Sequence, residues 1–594
     1  MLARNQIAVA DTWDLSPLFV SEEAWEAAME EWERRIPEYE TFAGRLHEPE
    51  TLLACLEFES ELGALGERVA GYTVLKKSED AGANHCQEMY ARALRLYGLA
   101  QLASSFIAPE LLAIPAAEWD RLVAEERLAP YRLLLDRIVR LRPHTLSRGE
   151  EEVLALFSEA STVAEQAYHQ YTTAEMKIKP VRDAWWRRTE MGYNKFIEMQ
   201  HSRCRRVRKA SFDAYYKAFE ESRNTLSALL AGSIQWDISL AKSRRFSSSL
   251  DAALFEENIP GTVYENLVET VHRHLPSLHR YYDLRRRKMR LREIRAYDTY
   301  VPVPAGVRMR YDWDTAVETI CDALVPLGPE YVGTLRGGLR ERRWCDKYEN
   351  EGKSAGAFSA GTYKAPPYIL MNFNPEIIES VFTLAHEAGH SMHSWYSAKH
   401  QPFRYYQYGI FVAEVASTFN EQLLGEHLIR RVRSKRERAW LINHQVDAIR
   451  NTIFRQTMFA EFEKTTHESI EQGRPLSAEG FRRIYRSLLD RYFGPRFAID
   501  EALELECFRI PHFYHSFYVY KYATGMSAAI ALADRVLRGG ERERNDYLTF
   551  LGGGCSREPL DLLRLAGVDM ESPAPIEAAM RRFSQLVDEL ESLI

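Results

Sequence analysis

Cysteine is scarce: the chain of 594 residues has seven, scattered at 55, 86, 204, 321, 345, 507 and 555. None forms a CxxC pair, so thiols in a reducing compartment are expected rather than a disulfide framework. Long apolar runs are missing as well. No stretch of some 18 apolar residues occurs, and the opening MLARNQIAVADTWDLSPLF lacks an apolar core of signal-peptide length. No membrane partner is expected, and the cytoplasm is the expected location. Nor is there an overall basic excess: 77 Lys and Arg stand against 85 Asp and Glu, a net charge of −8. A nucleic-acid partner is therefore not indicated. What is present is an ordinary globular composition, 46% hydrophobic and 27% charged, in a chain long enough for a large core and several domains.

The most informative stretch is Asn374 to Lys399, NPEIIESVFTLAHEAGHSMHSWYSAK. Asn374 and Pro375 read as an N-cap and a first helical position, and apolar residues recur at Ile377, Ile378, Val381, Phe382, Ala385, Ala388 and Met392. A buried helix of about six turns is predicted. It carries His386-Glu387-Ala388-Gly389-His390, an HExxH. His386 and His390 then lie on one face about one turn apart, so their imidazoles can converge on one small cation. Glu387 projects about a quarter-turn aside, where it suits a general base acting on water.

A catalytic zinc takes three protein ligands and leaves a position for water. Within reach in sequence are His393, His400, Glu379, Glu414, Glu421 and His427. His393 lies about 10 Å along the helix axis from His386, against metal–nitrogen bonds of about 2 Å, and nothing after His390 breaks the helix. It reads as a supporting or structural residue. Glu414 is better placed, on a second helix-compatible run from Phe411 to Glu421, after a connection with Pro402 and Gly409 long enough to turn the chain back. Among Val412, Ala413, Val415 and Ala416, a carboxylate is expensive to bury unless a cation neutralises it.

Elsewhere, helix-period segments fill residues 21–141 and return at 208–247, 435–472 and 477–493, with a capping box at Ser147 and Glu150. Periodicity is lost between Tyr168 and Gln200, at Pro180, Trp185-Trp186 and Gly192, which places a boundary near residue 200. Tyr297 to Pro304 and Gly352 to Asn374 change towards extended chain, with Tyr368 to Phe373 as a strand. A small sheet leading into the HExxH helix is expected, whose edge could pair with an extended peptide. Basic clusters at 203–209, 285–292 and 430–438 sit on helical segments and read as solvated faces. Tyr514, Tyr518 and Tyr522 form one stripe if the segment from Tyr514 is helical.

HEAGHSMHSWYS followed by FVAEVASTFNE resembles the oligoendopeptidase F branch of the thimet oligopeptidase family of zinc metallopeptidases. The Thr12-Trp-Asp-Leu15 opening, RKASFDAYYKAFEESRNTLSALLAGSI and the Gly552 to Met570 tail are similar to that branch too, so the likeness covers most of the chain. The resemblance implies one Zn²⁺ per chain, held by His386, His390 and Glu414, with Glu387 as the base. It implies a mainly α fold whose two lobes enclose a deep channel, with an N-terminal helical domain at 1–200 and a catalytic domain at 201–594. In the wider family a histidine followed by tyrosines donates to the substrate carbonyl, and His512, Tyr514 and Tyr518 match best. Here the tyrosines follow the histidine more closely than in the thimet-like branch.

The expected activity is zinc-dependent hydrolysis of internal bonds in short oligopeptides. Each oxyanion donor in such a site contributes roughly 3 kcal/mol. A helical zinc carboxypeptidase shares HExxH and a downstream Glu, and is the alternative within the enzymes. A non-catalytic zinc scaffold is a further one, although a structural site closes with four ligands and has no use for Glu387.

Overall fold

Alanine, leucine, glutamate and arginine at helical spacing dominate the sequence, and the molecule is mainly α accordingly. The structure, a computed structural model, describes residues 2–304 and 306–594. Two compact units form, each from separate stretches of chain. The first takes Met1–Pro143, Arg308–His427 and Leu532–Val568; the second takes His144–Val307, Leu428–Ala531 and Asp569–Ile594.

Five strands occur among the described residues: β1 (Val181–Arg182), β2 (Arg188–Thr189), β3 (Cys345–Asp346), β4 (Phe358–Ala360) and β5 (Tyr368–Leu370). β1 and β2 make a hairpin in the second unit, where the sequence loses helical period. In the first unit the order is β3-β5-β4, with β3 parallel and β4 antiparallel to β5. β4 is thus an edge strand. β3 has no alternation to reveal it, because it is two residues long and both are buried.

This small sheet belongs to the core of the first unit. Tyr368 and Leu370 pack in one apolar cluster with Trp25 and Trp32 of the helix Glu22–Arg35 and with Leu62 and Val69 of Pro49–Glu79. Trp13 is the expected aromatic anchor: 3% exposed, it packs edge-on to Tyr368 at 6.1 Å and donates its indole N–H to Glu79 at 2.5 Å. The N-terminal segment thereby braces the sheet that leads into the HExxH helix.

Two expectations fail in the second unit for one shared reason. Residues 297–304 form a 3-10 turn (Ala296–Asp298) and bends instead of extended chain. Two members of the basic clusters, Arg208 and Arg285, are buried instead of solvated. Arg285 donates to the carbonyls of Asp298 and Thr299 at 3.0 Å and of Val301 at 2.5 Å. Arg208 donates to Tyr297 O and to Asp298 Oδ1 at 2.8 Å. The guanidinium groups satisfy the backbone acceptors that a strand partner would otherwise take.

Candidate active site

The HExxH helix runs Glu379–His400 and buries Val381, Phe382, Ala385, Ala388 and Met392 of the apolar stripe read from the sequence, with Leu384 besides, while Ile377 lies before the helix and is exposed. It starts later than expected. Asn374 spends its side chain on a local turn, accepting from Glu376 N at 3.0 Å, and its own N–H donates to Ser380 Oγ at 3.1 Å. Ile378, which has no acceptor to offer, is the residue at the N-cap. Past Gln401 a short helix (Phe403–Tyr406) leads to the second long helix, Ile410–Arg431, which carries Glu414.

The two helices bring His386, His390 and Glu414 together, with one donor atom of each inside a 4.8 Å span. Glu414 Oε2 lies 3.3 Å from His386 Nε2 and 3.5 Å from His390 Nε2. Ligand atoms bound tetrahedrally at about 2.0–2.1 Å stand about 3.3–3.4 Å apart, so the cluster has the dimensions of a small divalent cation's site. Its electrostatics agree. Burial opposes a charge on His386, yet hydrogen bonds and charge from Glu414 and Glu421 outweigh it and raise the imidazole pKa to about 10. Burial likewise works against the Glu414 carboxylate, and the two histidines still hold it well below the usual range. The carboxylates thus favour positive charge at this point. Glu387, 7% exposed, is pushed up by burial, only partly offset by the histidines. A carboxyl raised towards neutrality suits a group that takes and returns a proton.

Three contributors were given no role from the sequence, although Glu421 stood among the candidate third ligands. Glu421 Oε1 accepts from His386 Nδ1 at 2.5 Å, fixing the ring so that Nε2 faces Glu414. Its signal is its place seven residues after Glu414, two turns on along the same face. Gly389 is the second: a Cβ there would meet Ala416 O at 2.5 Å and Ser417 Cα at 2.6 Å. Bare backbone at this point lets the two ligand helices touch. The third is the C-terminal stretch, whose sequence suggested no role. Gly552 O accepts from Gln401 Nε2 at 2.7 Å, and Cys555 N donates to Tyr405 O at 2.8 Å. Gly554, at φ +54°, would place a Cβ inside van der Waals reach of Tyr405 O, so only glycine fits this brace under the HExxH helix.

His393 is away from the cluster of donors, stacked on Tyr408 at 3.6 Å and 7°, with Phe550 beyond. Burial lowers its pKa to about 3, so it is a neutral packing group.

His512, Tyr514 and Tyr518 belong to the second unit. They do not share a helix. Pro511–Tyr514 is a 3-10 turn, Phe517 adopts φ 59°, and the helix begins only at Tyr520. The Phe517 N–H donates to the buried Glu463 at 3.1 Å, which holds this left-handed break. The stripe is thus rebuilt in part: Tyr518 stacks over His512 at 6.1 Å, and Tyr522 donates to Tyr518 Oη at 3.4 Å. Tyr514 packs on Tyr168 instead, at 4.7 Å.

The pattern of Peptidase family M3 matches residues 198–582, and that of Oligopeptidase F matches residues 110–178. Oligopeptidase PepF of Bacillus subtilis (strain 168) is 39% identical over 593 residues, covering 100% of this chain and 88% of that protein. An oligoendopeptidase F homolog of Borreliella burgdorferi is 36% identical over 100% of both chains. Among solved structures, oligoendopeptidase-F from Enterococcus faecium has a TM-score of 0.75 at 32% identity, covering 96% of this chain and 99% of that one. The chain therefore belongs to peptidase family M3, in its oligoendopeptidase F branch, and is a metalloendopeptidase.

Proposed function

We propose that the protein is a zinc endopeptidase that cleaves internal bonds of short oligopeptides, one Zn²⁺ per chain being held by His386, His390 and Glu414. The observation that carries this is the convergence of Glu414 Oε2 on both imidazoles at 3.3 and 3.5 Å, with Glu387 beside them. A set of two histidines and one carboxylate favours zinc and leaves a position open. Bound there, the ion supplies Lewis acidity and draws the pKa of a water towards ~7. Glu387 would act as the base, taking a proton from an attacking water and returning it to the departing amine. Glu421 keeps His386 in the tautomer that presents Nε2. The free edge of β4 offers backbone groups to an extended peptide, and Ser359 Oγ, 2.8 Å from Ser391 Oγ, ties that strand to the HExxH helix one residue past His390. His512, Tyr518 and Tyr514 are assigned as donors to the carbonyl oxygen, with Tyr518 first among the tyrosines because its hydroxyl is shared with Tyr522. The names of the relatives, oligopeptidase and oligoendopeptidase, support short peptides as the substrate class. The expected location is the cytoplasm, and residues 201–594 are assigned as the catalytic domain.

The test is cleavage of an internally quenched peptide with both ends blocked, with metal content measured on every sample. Glu387→Gln is expected to keep zinc and lose about 10²-fold or more in kcat. Glu414→Ala is expected to lose zinc. A wild type that holds zinc yet leaves every blocked peptide intact would overturn the endopeptidase assignment, and cleavage of free-ended peptides alone would make it a carboxypeptidase.

A further inference from the structure

Beside the HExxH helix, in the same unit as the metal ligands, lies a cleft of about 390 Å³ that the chemistry above does not use. One wall is the turn from β4 to β5, with Gly361, Tyr363, Pro366 and Pro367; the other is the helix after His390, with Trp395 and Ala398. The lining is mostly apolar. Two of the polar groups at its margin are engaged, Ser394 Oγ with Tyr408 Oη at 3.0 Å and Lys399 with Glu330 at 2.6 Å; Lys364 and the buried Thr362 hydroxyl line it as well.

Its place relative to the site follows from two contacts. Ser359 meets Ser391, and two residues later a Cβ on Gly361 would stand 3.3 Å from Ser394 Cβ. Strand β4 and the HExxH helix therefore advance side by side in the same direction, and the cleft opens where the edge strand ends. Ser394 and Ala398 lie about 6 and 12 Å beyond His390 along the helix axis. At about 3.3 Å per residue of extended chain, that distance spans two to four residues.

We infer that this cleft is a substrate subsite, taking an apolar or aromatic side chain two to four residues from the scissile bond of a peptide laid along β4. The assignment rests on the endopeptidase reading above and adds a preference to it. A peptide paired to the β4 edge and continuing beyond Ala360 alongside the helix runs past the cleft mouth. A side chain entering it would leave water for Tyr363, Trp395 and two prolines, contact that favours bulk and apolarity over charge.

The experiment uses blocked, quenched peptides identical except for Phe, Ala or Asp placed two, three or four residues from the cleaved bond, on either side. Wild type is expected to prefer Phe over Ala by about tenfold in kcat/KM at one position, and to disfavour Asp there. Ala398→Phe, which fills the cleft, is expected to erase that preference while Ala peptides stay within about twofold of wild type. Tyr363→Ala, which strips one wall, is expected to weaken the preference without reversing it, and zinc content checks that both variants fold. Titration of Glu387→Gln with the same peptides, followed by tryptophan fluorescence, reads binding without turnover and should show the same order. No preference at any position, or an equal loss on Phe and Ala peptides in Ala398→Phe, overturns the assignment. If wild type cleaves nothing while Glu387→Gln still binds the Phe peptide about tenfold tighter, the hydrolytic reading fails and the cleft assignment stands.

Discussion

Glu421 shows how much of the candidate site depends on a side chain outside the His386, His390 and Glu414 cluster. Its carboxylate faces His386 Nδ1 at 2.5 Å, and removing it frees the ring to rotate. Glu421→Ala is expected to lower zinc affinity by about 10- to 100-fold, measured by competition with a chromogenic chelator, with Glu421→Gln recovering part of it. His393 makes the opposite case. Stacked on Tyr408 and held neutral, it should tolerate His393→Phe with zinc affinity within about twofold of wild type, whereas loss of zinc in that variant would make it a ligand. At this scale the sequence was readable where donors share a helix or a short connection. His386 and His390 stand out by spacing, burial cost favours Glu414, and the resemblance to the oligoendopeptidase F branch implies the three as a set. The role of Glu421 does not stand out, because its partner nitrogen is defined only once two helices have been packed.

Between the two ligand helices the decisive feature is missing matter. Gly389→Ala would drive a Cβ into the Ala416 carbonyl, so the helices must separate or tilt. Overpacking of this kind costs about 1–3 kcal/mol. The expected result is a lower denaturation midpoint together with weaker zinc binding, since Glu414 rides on the displaced helix; a variant with unchanged zinc affinity would show that the contact does not set the site's width. Element types were legible from period and breakers: the HExxH helix, the Glu414 helix and the β5 strand stand where the apolar pattern puts them. Their ends were not. Asn374 has the chemistry of an N-cap but satisfies a turn five residues before the helix, and the tyrosine stripe is cut at Phe517 because a buried glutamate captures its N–H. Such competition between local and distant partners leaves no periodic trace.

Across the molecule, buried charge ties stability to pH. In the second unit Glu506 is wholly enclosed. Burial alone would raise its pKa, but Arg455 at 2.7 Å and Arg509 at 2.5 Å, with the Tyr485 hydroxyl at 2.7 Å, bring it from 4.5 to about 2. A carboxyl depressed in the folded state contributes stability that is complete above its unfolded pKa and is lost as pH falls through the folded value. Denaturation midpoints should therefore drop between pH 4.5 and 2, and Glu506→Gln, already weakened at neutral pH, should lose less over that window. Such arginines also explain the misread basic clusters: Arg208 and Arg285 serve interior carbonyls and Asp298, which no count of surface charge reveals.

The stretch Leu532–Val568 completes the unit that carries the metal ligands, and Gly552 to Cys555 brace the helix and turn beside them. During synthesis the ribosome makes His386, His390 and Glu414 long before it makes that brace. A nascent chain thus displays the ligands before it owns the packing that aims them, and domain-wise folding from the N-terminus cannot finish this unit early. The unit that carries His386, His390 and Glu414 is therefore whole only once Val568 has been made.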